Sequence, residues 1–361
     1  MKSIFDKNAN SFDLIRLLAA LAVIYSHSYV WSGGAEAISR LTNVTHAGEL
    51  SVVIFFFISG ALVTKSLQRS SIMGYVIKRV ARIYPALIIC CFLVAFVMTW
   101  VFGGMSFTQV LNDPQVLKYF GYNAIGVWNV HVIDSAFQGH PTQALNGSLW
   151  SITLELRLYL VLAMLAMLGL VRNVAIRCTA LILLVIAACY SPNALPLVGD
   201  NHALYGAAHF STFAVIFFAG ALFYSLEEKI APRYTAIWLV SAFVLVIGKN
   251  TEIYRNAIFF FTITSVLVIA RWPLLIQKIK IRHDYSYGVY LYGWPSQQIA
   301  YKLLRDMGEA SAFKITLLAS LIAIALAVAS WHLIEKRAIR WGQRLARWFD
   351  ERRTHFATPD A

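Results

Sequence analysis

The first apolar stretch of this sequence carries two ionisable side chains, Arg16 and His27. They are eleven residues apart. At about 100° per residue this spacing falls about 20° past three full turns. A helix would therefore carry both on one face, about 16.5 Å apart along its axis. Ionisable groups inside apolar spans are costly and mark functional sites by default. Taken alone, His27 also fits a hydrogen-bonded packing residue. The aligned arginine favours a candidate base, because one face then links the membrane surface to a deep imidazole. Asp13, three residues before Arg16, is spaced to pair with it.

Three further clusters carry chemistry. In Lys78-Arg79-Val80-Ala81-Arg82, Arg79 and Arg82 share a helical face. Two guanidinium forks at a membrane surface suit a phosphate-rich ligand, and ordinary positive-inside charge is the alternative. The stretch Asn146-Gly147-Ser148-Leu149-Trp150-Ser151 leads into a helix that holds Glu155 about 10 Å down, a depth from which it could approach His27. A carboxylate beside the imidazole would fix its tautomer and raise its basicity; an ion pair with Arg157 is the alternative. From Asp284 to Pro295, Tyr285, Tyr287, Tyr290, Tyr292 and Trp294 open another span. They fit an interfacial aromatic belt or the lining of a sugar or pantetheine site, and both readings stay open. His332 and Glu335 close the last span, where they are placed to hold the basic surface.

These residues need helices to position them, and the composition supplies helices that belong in a bilayer. The 361 residues are 59% hydrophobic and 14% charged, with mean hydropathy +0.63. A soluble domain sits near 45–50% apolar and about 25% charged. The net charge of +13 would suggest nucleic acid in a soluble protein. Here no basic, aromatic-interleaved soluble segment exists to carry that binding. Cys90, Cys91, Cys178 and Cys189 lie in or beside apolar runs, with neither metal spacing nor a disulfide framework. The first run, Leu14 to Trp31, carries Arg16 and His27 and no cleavage site, and reads as a retained helix.

A span needs about 20 mostly apolar residues. Such runs fall near 12–31, 48–66, 83–103, 148–170, 174–190, 209–226, 234–249, 256–271, 286–303 and 312–334. The expected fold is therefore all-α and polytopic, with about ten transmembrane helices. Lys and Arg concentrate at the N-terminus, in alternate loops and in the tail, which places both termini in the cytoplasm. Residues 1–340 make one transmembrane domain, and 341–361 a short basic cytoplasmic tail. The long loop from about 104 to 147 is expected on the outer side, capping or lining a cavity.

In this order, the clusters resemble the acyltransferase-3 family of bacterial membrane O-acyltransferases. Arg16 through His27 is similar to its arginine, ten residues, histidine motif. Arg79 and Arg82 are similar to its arginine, two residues, arginine motif. Trp150-Ser151 with Glu155, Ser286-Tyr287 with Tyr290-Leu291, and Ile334-Glu335-Lys336 match the rest of its pattern. The resemblance covers about residues 11–340. It departs at Gly293, where many members have histidine, and at Arg337, where many have proline. It implies transfer of an acyl group, usually acetyl, from a coenzyme A thioester to a hydroxyl of a carbohydrate or lipid-linked saccharide bound for the cell surface. It also implies the bacterial inner membrane. By resemblance, Arg79 and Arg82 bind the coenzyme's phosphates, Arg16 supports the donor site, and His27 is the essential catalytic residue.

The expected mechanism has acetyl-CoA docking at Arg79 and Arg82, with its arm running past Arg16. His27, oriented by Glu155, acts as general base or takes the acyl group itself. No metal is required. The rival is a transporter or flippase without chemistry. It lacks the pair of interrupted helices that marks inverted repeats.

Overall fold

A computed structural model describes residues 3–5, 9–170, 203–272, 275, 279, 281 and 283–356, with side chains from 210 to 351 in the last helices and throughout the earlier segments. All regular structure among them is helical. The helices are α1 (Phe12–Ser32), α2 (Ala37–Thr42), α3 (Ala47–Gln68), α4 (Ile72–Phe92), α5 (Thr99–Phe102), α6 (Phe107–Asn112), α7 (Pro114–Ile125), α8 (Leu149–Met167), α9 (Ala203–Ile230), α10 (Tyr234–Ile247), α11 (Tyr254–Ala270), α12 (Ser286–Asp306), α13 (Ala312–Ser330) and α14 (Lys336–Phe356). Two π-helical turns, Leu93–Met98 and Trp331–Glu335, join α4 to α5 and α13 to α14.

Only a helix can bury its own backbone polar groups in lipid without a partner strand. Six runs among the described residues are long and apolar enough to cross a membrane: Phe12–Ser32, Ala47–Gln68, Ile72–Phe102, Leu149–Met167, Phe210–Ile247 and Ala312–Glu351. The protein is thus a multi-pass membrane protein. The expected runs 209–226 and 234–249 fall in the single 38-residue stretch Phe210–Ile247, which a 3-10 turn carrying Pro232 divides at Ala231–Arg233. Tyr254–Ala270 is apolar but shorter. Ser286–Asp306, which carries Gln297, Gln298, Lys302 and Arg305, is helical but not among the six. The expected run 174–190, with Cys178 and Cys189, lies outside the described residues.

The chain divides into two compact units, one from residues 1–15, 52–72 and 154–280 and the other from 16–51, 73–153 and 281–361. In the first unit, α3 and α9 cross where each has a glycine. A Cβ on Gly60 would overlap the Phe217 carbonyl, and one on Gly220 the Phe57 carbonyl, so the backbones themselves meet. Buried Glu227 accepts hydrogen bonds from Arg271 Nη2 (2.8 Å), Tyr234 Oη (3.2 Å), Ile4 N (3.1 Å) and Ser3 Oγ (2.8 Å). One carboxylate thereby ties the chain's beginning to α9, α10 and the end of α11.

In the second unit, the segment expected as an outer loop folds back along α4 and α12. Beyond α5 the chain turns back along α4: Phe120 of α7 packs against Phe92 and Phe96, and Tyr84 Oη donates to the Ile125 carbonyl (3.0 Å). From Gly139 to Asn146 it runs beside α12. The Gly139, Thr142 and Ala144 carbonyls accept from Arg305, Gln298 and Trp294. Asn146 Nδ2 then donates to the Leu291 carbonyl at 3.0 Å. Arg305 to Leu291 is about 21 Å of helix. Pro295 explains the last bond: it has no N–H to offer Leu291, four residues earlier, and Asn146 satisfies the freed carbonyl. Asn123 pairs with both backbone polar groups of Val130 (2.8 and 3.1 Å), so this non-helical backbone is satisfied by protein.

Candidate active site

Three helices bring a charged cluster together in the second unit. Arg16 Nη2 of α1 lies 2.8 Å from Asp284 Oδ2. Arg82 of α4 also pairs through Nη2 with the same oxygen, and its Nη1 lies 3.4 Å from Glu335 Oε2. The other oxygen of Asp284 accepts from the Ser286 backbone N–H (3.3 Å) and hydroxyl. Glu335 sits in the π-turn after α13 and takes a second hydrogen bond from Ser330 Oγ (2.9 Å). The rings of Tyr287 and Trp331 lie 5.5 and 5.8 Å from the Arg82 guanidinium carbon. Burial raises the pKa of Asp284. Arg16, Arg82 and the Ser286 donors outweigh it and hold the carboxyl at about 2.

Of the expected donor-site residues, Arg16 and Arg82 therefore meet, joined by a counter-ion 268 residues from Arg16. Arg79, one turn before Arg82, is half-buried. A phosphate entering here would meet guanidinium groups already oriented by Asp284 and Glu335. His332, expected to help hold this surface, lies 3.2 Å through Nε2 from Tyr285 Oη.

His27 stands further along α1. Its ring meets Trp294 edge-on at 4.9 Å. Trp294 is fixed in turn by its Nε1 donating to the Ala144 carbonyl (2.8 Å) and by Trp31 at 5.1 Å. Nδ1 of His27 is buried and has no hydrogen-bond partner among the described residues; the same holds for Oε1 of Gln297. Gln297 Nε2 donates to the Ile24 carbonyl (2.6 Å), one turn before His27, and to Ser28 Oγ (2.9 Å), the residue after it. Buried polar atoms normally have partners, so two orphans on adjacent helices fit a place kept for a polar ligand. Gln298, next in sequence, accepts from His140 Nδ1 (2.7 Å) and Trp31 Nε1 (3.4 Å), tying the segment before α8 to α1 and α12.

Glu155 belongs to the first unit. Its Oε1 accepts from Ser59 Oγ (2.6 Å) and from Tyr159 Oη. At the start of the same helix, Ser151 Oγ lies 2.5 Å from Tyr290 Oη. The tyrosines from 285 to 292 are thus not only a belt: Tyr287 donates to the Ile83 carbonyl (2.9 Å), and Tyr290 reaches Ser151.

Gly293 has a packing reason. A Cβ there would lie 3.0 Å from Ile24 Cγ1, so a histidine at this position would require the Ile24 side chain to shift. The pattern of residues missed Asp284, Gln297 and Gln298 as site groups. A signal was present: a lone acid beside a basic loop, and two adjacent amides inside an otherwise apolar helix.

A family model described as an acyltransferase domain, acyltransferase-3, matches residues 9–334. An O-acetyl transferase of Shigella phage Sf6 is 30% identical over 349 residues, 91% of this chain and 96% of that protein. Nodulation protein 10 of Rhizobium leguminosarum bv. viciae is 28% identical over 359 residues, 92% of this chain and 93% of that protein. No solved structure gives a significant match.

Proposed function

The chain belongs to the acyltransferase-3 family and is a membrane O-acyltransferase; we propose that it moves an acetyl group from acetyl-CoA to a hydroxyl of a cell-surface carbohydrate or a lipid-linked saccharide. The observation that carries this reading is the single face of α1. At one end Arg16 joins Arg82 through Asp284. About 16.5 Å further along stands His27, with a buried, unpartnered Nδ1. A phosphate-bearing donor with a long flexible arm fits that separation, with the thioester delivered to the imidazole. The acetyl group is favoured by the phage relative, an O-acetyl transferase.

In this reading Arg79, Arg82 and Arg16 hold the donor's phosphates. His27 removes the proton from the acceptor hydroxyl as the new C–O bond forms and the C–S bond breaks, then returns that proton to the departing thiolate. A covalent variant has His27 accept the acyl group first. Glu155, the carboxylate expected to orient the imidazole, has its Oε1 held by Ser59 and Tyr159 within the first unit. Trp294 and Gln297 shape the acceptor side. Ten crossings, cytoplasmic termini and the bacterial inner membrane complete the proposal; the clustering of Lys and Arg supports them.

The test is incorporation of labelled acetyl from acetyl-CoA into envelope carbohydrate by membranes containing the protein. The proposal expects label above a vector control. Label that enters only saccharide-free lipid or protein would contradict the carbohydrate acceptor. Retention of acetyl-CoA without transfer would contradict the chemistry.

A further inference from the structure

The C-terminal helix α14 has two faces. At about 100° per residue, Trp341, Leu345 and Trp348 fall within one stripe along the helix. Arg337, Arg344, Arg340 and Arg347 follow along one border of that stripe, in that order around the helix. Gly342, Ala346 and Asp350 occupy the side away from the arginines and the tryptophans. That side is the packed one: a Cβ on Gly342 would overlap Ala81, Ala346 is fully buried, and Asp350 lies 4.0 Å from Lys78. The outward side shows Trp341 at 70% exposure and Leu345 at 49%. An aromatic and aliphatic stripe bordered by arginines is the pattern of a helix that rests among lipid headgroups.

Length points the same way. The continuous run Ala312–Glu351 has 40 residues, about 60 Å of helix, against a hydrocarbon core about 30 Å thick. Roughly half of it must lie outside the hydrocarbon.

Between α4 and α14 runs an open groove of about 580 Å³. Val76, Val80 and Ile88 line one wall and Trp341 and Leu345 the other, with Arg344 beside them. From Val76 to Ile88 the groove is about 18 Å long. The two helices are antiparallel, with Gly342 opposite Ala81 and Asp350 opposite Gly74. This register sets Arg344 level with Arg79 and Arg347 level with Val76, while the Ile88 end is apolar. The groove therefore has a cationic end and an apolar end, in the order that a phospholipid of the adjoining leaflet presents its phosphate and its chain.

We propose that this groove binds one anionic phospholipid, with its headgroup phosphate on Arg344 and an acyl chain along Val80, Tyr84 and Ile88. The arginines complement the headgroup's charge, and the apolar walls cover the chain. The site is separate from the acyl-transfer reaction and does not depend on it.

The test uses the full-length protein in phosphatidylcholine vesicles, without acyl donor. Phosphatidylglycerol with brominated chains is added, and quenching of Trp341 is read as the difference between wild type and Trp341→Phe. Brominated phosphatidylglycerol should quench more than brominated phosphatidylcholine at equal mole fraction. The preference should fall about fivefold in Arg344→Gln, the scale of one surface cation, ~1 kcal/mol. It should survive in Arg344→Lys, and Val80→Phe should reduce quenching by either lipid. Equal quenching by both lipids would overturn the proposal, as would an Arg344→Gln protein that keeps the preference. Complete competition by inorganic phosphate would assign a free-anion site instead. Doubling of the particle mass with loss of quenching would assign the groove to a second copy of the chain.

Discussion

Asp284→Asn keeps the shape of the side chain and removes the one charge shared by Arg16 and Arg82. The lowering of its pKa from 3.8 to about 2 corresponds to ~2 kcal/mol favouring the ionised form in the folded protein. Because the folded value is depressed, this contribution is present above the ordinary carboxylate range and is lost as pH falls through about 2. Removing one partner of a buried pair costs about 3–5 kcal/mol, because the remaining charge is left uncompensated. The side chains are 15–17% exposed at the Arg16 pair, so solvent relieves part of that cost. We therefore expect a loss of ~3 kcal/mol. On the scale for units of 150–250 residues this lowers the melting temperature by about 6–12 °C. The assay is thermal unfolding of the purified protein in detergent, with and without coenzyme A. The variant should melt lower, and coenzyme A should raise its melting temperature more than that of wild type, because phosphate then pairs the released guanidinium groups. A variant that melts within about 1 °C of wild type, against the 6–12 °C expected, would refute the role of Asp284 as the shared counter-ion.

Other substitutions test separate parts of the account. Gly293→His forces the Ile24 side chain to shift and should cost ~1–3 kcal/mol by overpacking, relieved by adding Ile24→Ala; melts of the single and double variants compare them. Glu227→Gln leaves Arg271 without its carboxylate in the first unit and should cost ~3–5 kcal/mol, read as faster proteolysis of the N-terminal residues. Burial holds the pKa of His140 below its usual 6.5. Stability from the neutral form is therefore complete above 6.5 and declines as pH falls below it. Protection factors across residues 126–148, corrected for the intrinsic pH dependence of amide exchange, should fall from about pH 7.5 to about pH 5.5 in wild type but not in His140→Phe.

The helical class was legible because lipid imposes it: uninterrupted apolar runs become helices, and nine of the ten expected runs fall on described helices. The alignment of Arg16 with His27 follows from periodicity alone. The meeting of Arg16 with Arg82 does not, because Asp284 joins them across 268 and 202 residues of sequence. The course of residues 104–147 back along α4 and α12 was equally hidden. Its polar and aromatic residues read as an outer loop, but they do not show that Asn123 would pair with Val130, that Trp294 would donate to the Ala144 carbonyl, or that Asn146 would donate to the Leu291 carbonyl of α12. The bonds of Gln297 and Gln298 depend on which turn of α1 faces them, a register that periodicity within one helix does not carry.

The central claim is that His27 performs the acyl transfer. The measurement is transfer of labelled acetyl from acetyl-CoA into envelope carbohydrate by wild type and His27→Ala at matched membrane levels. The account predicts label with wild type and a loss of about a hundredfold or more with His27→Ala, the scale of a general base. Equal label from both, above a vector control, would contradict it and place the chemistry at a different residue.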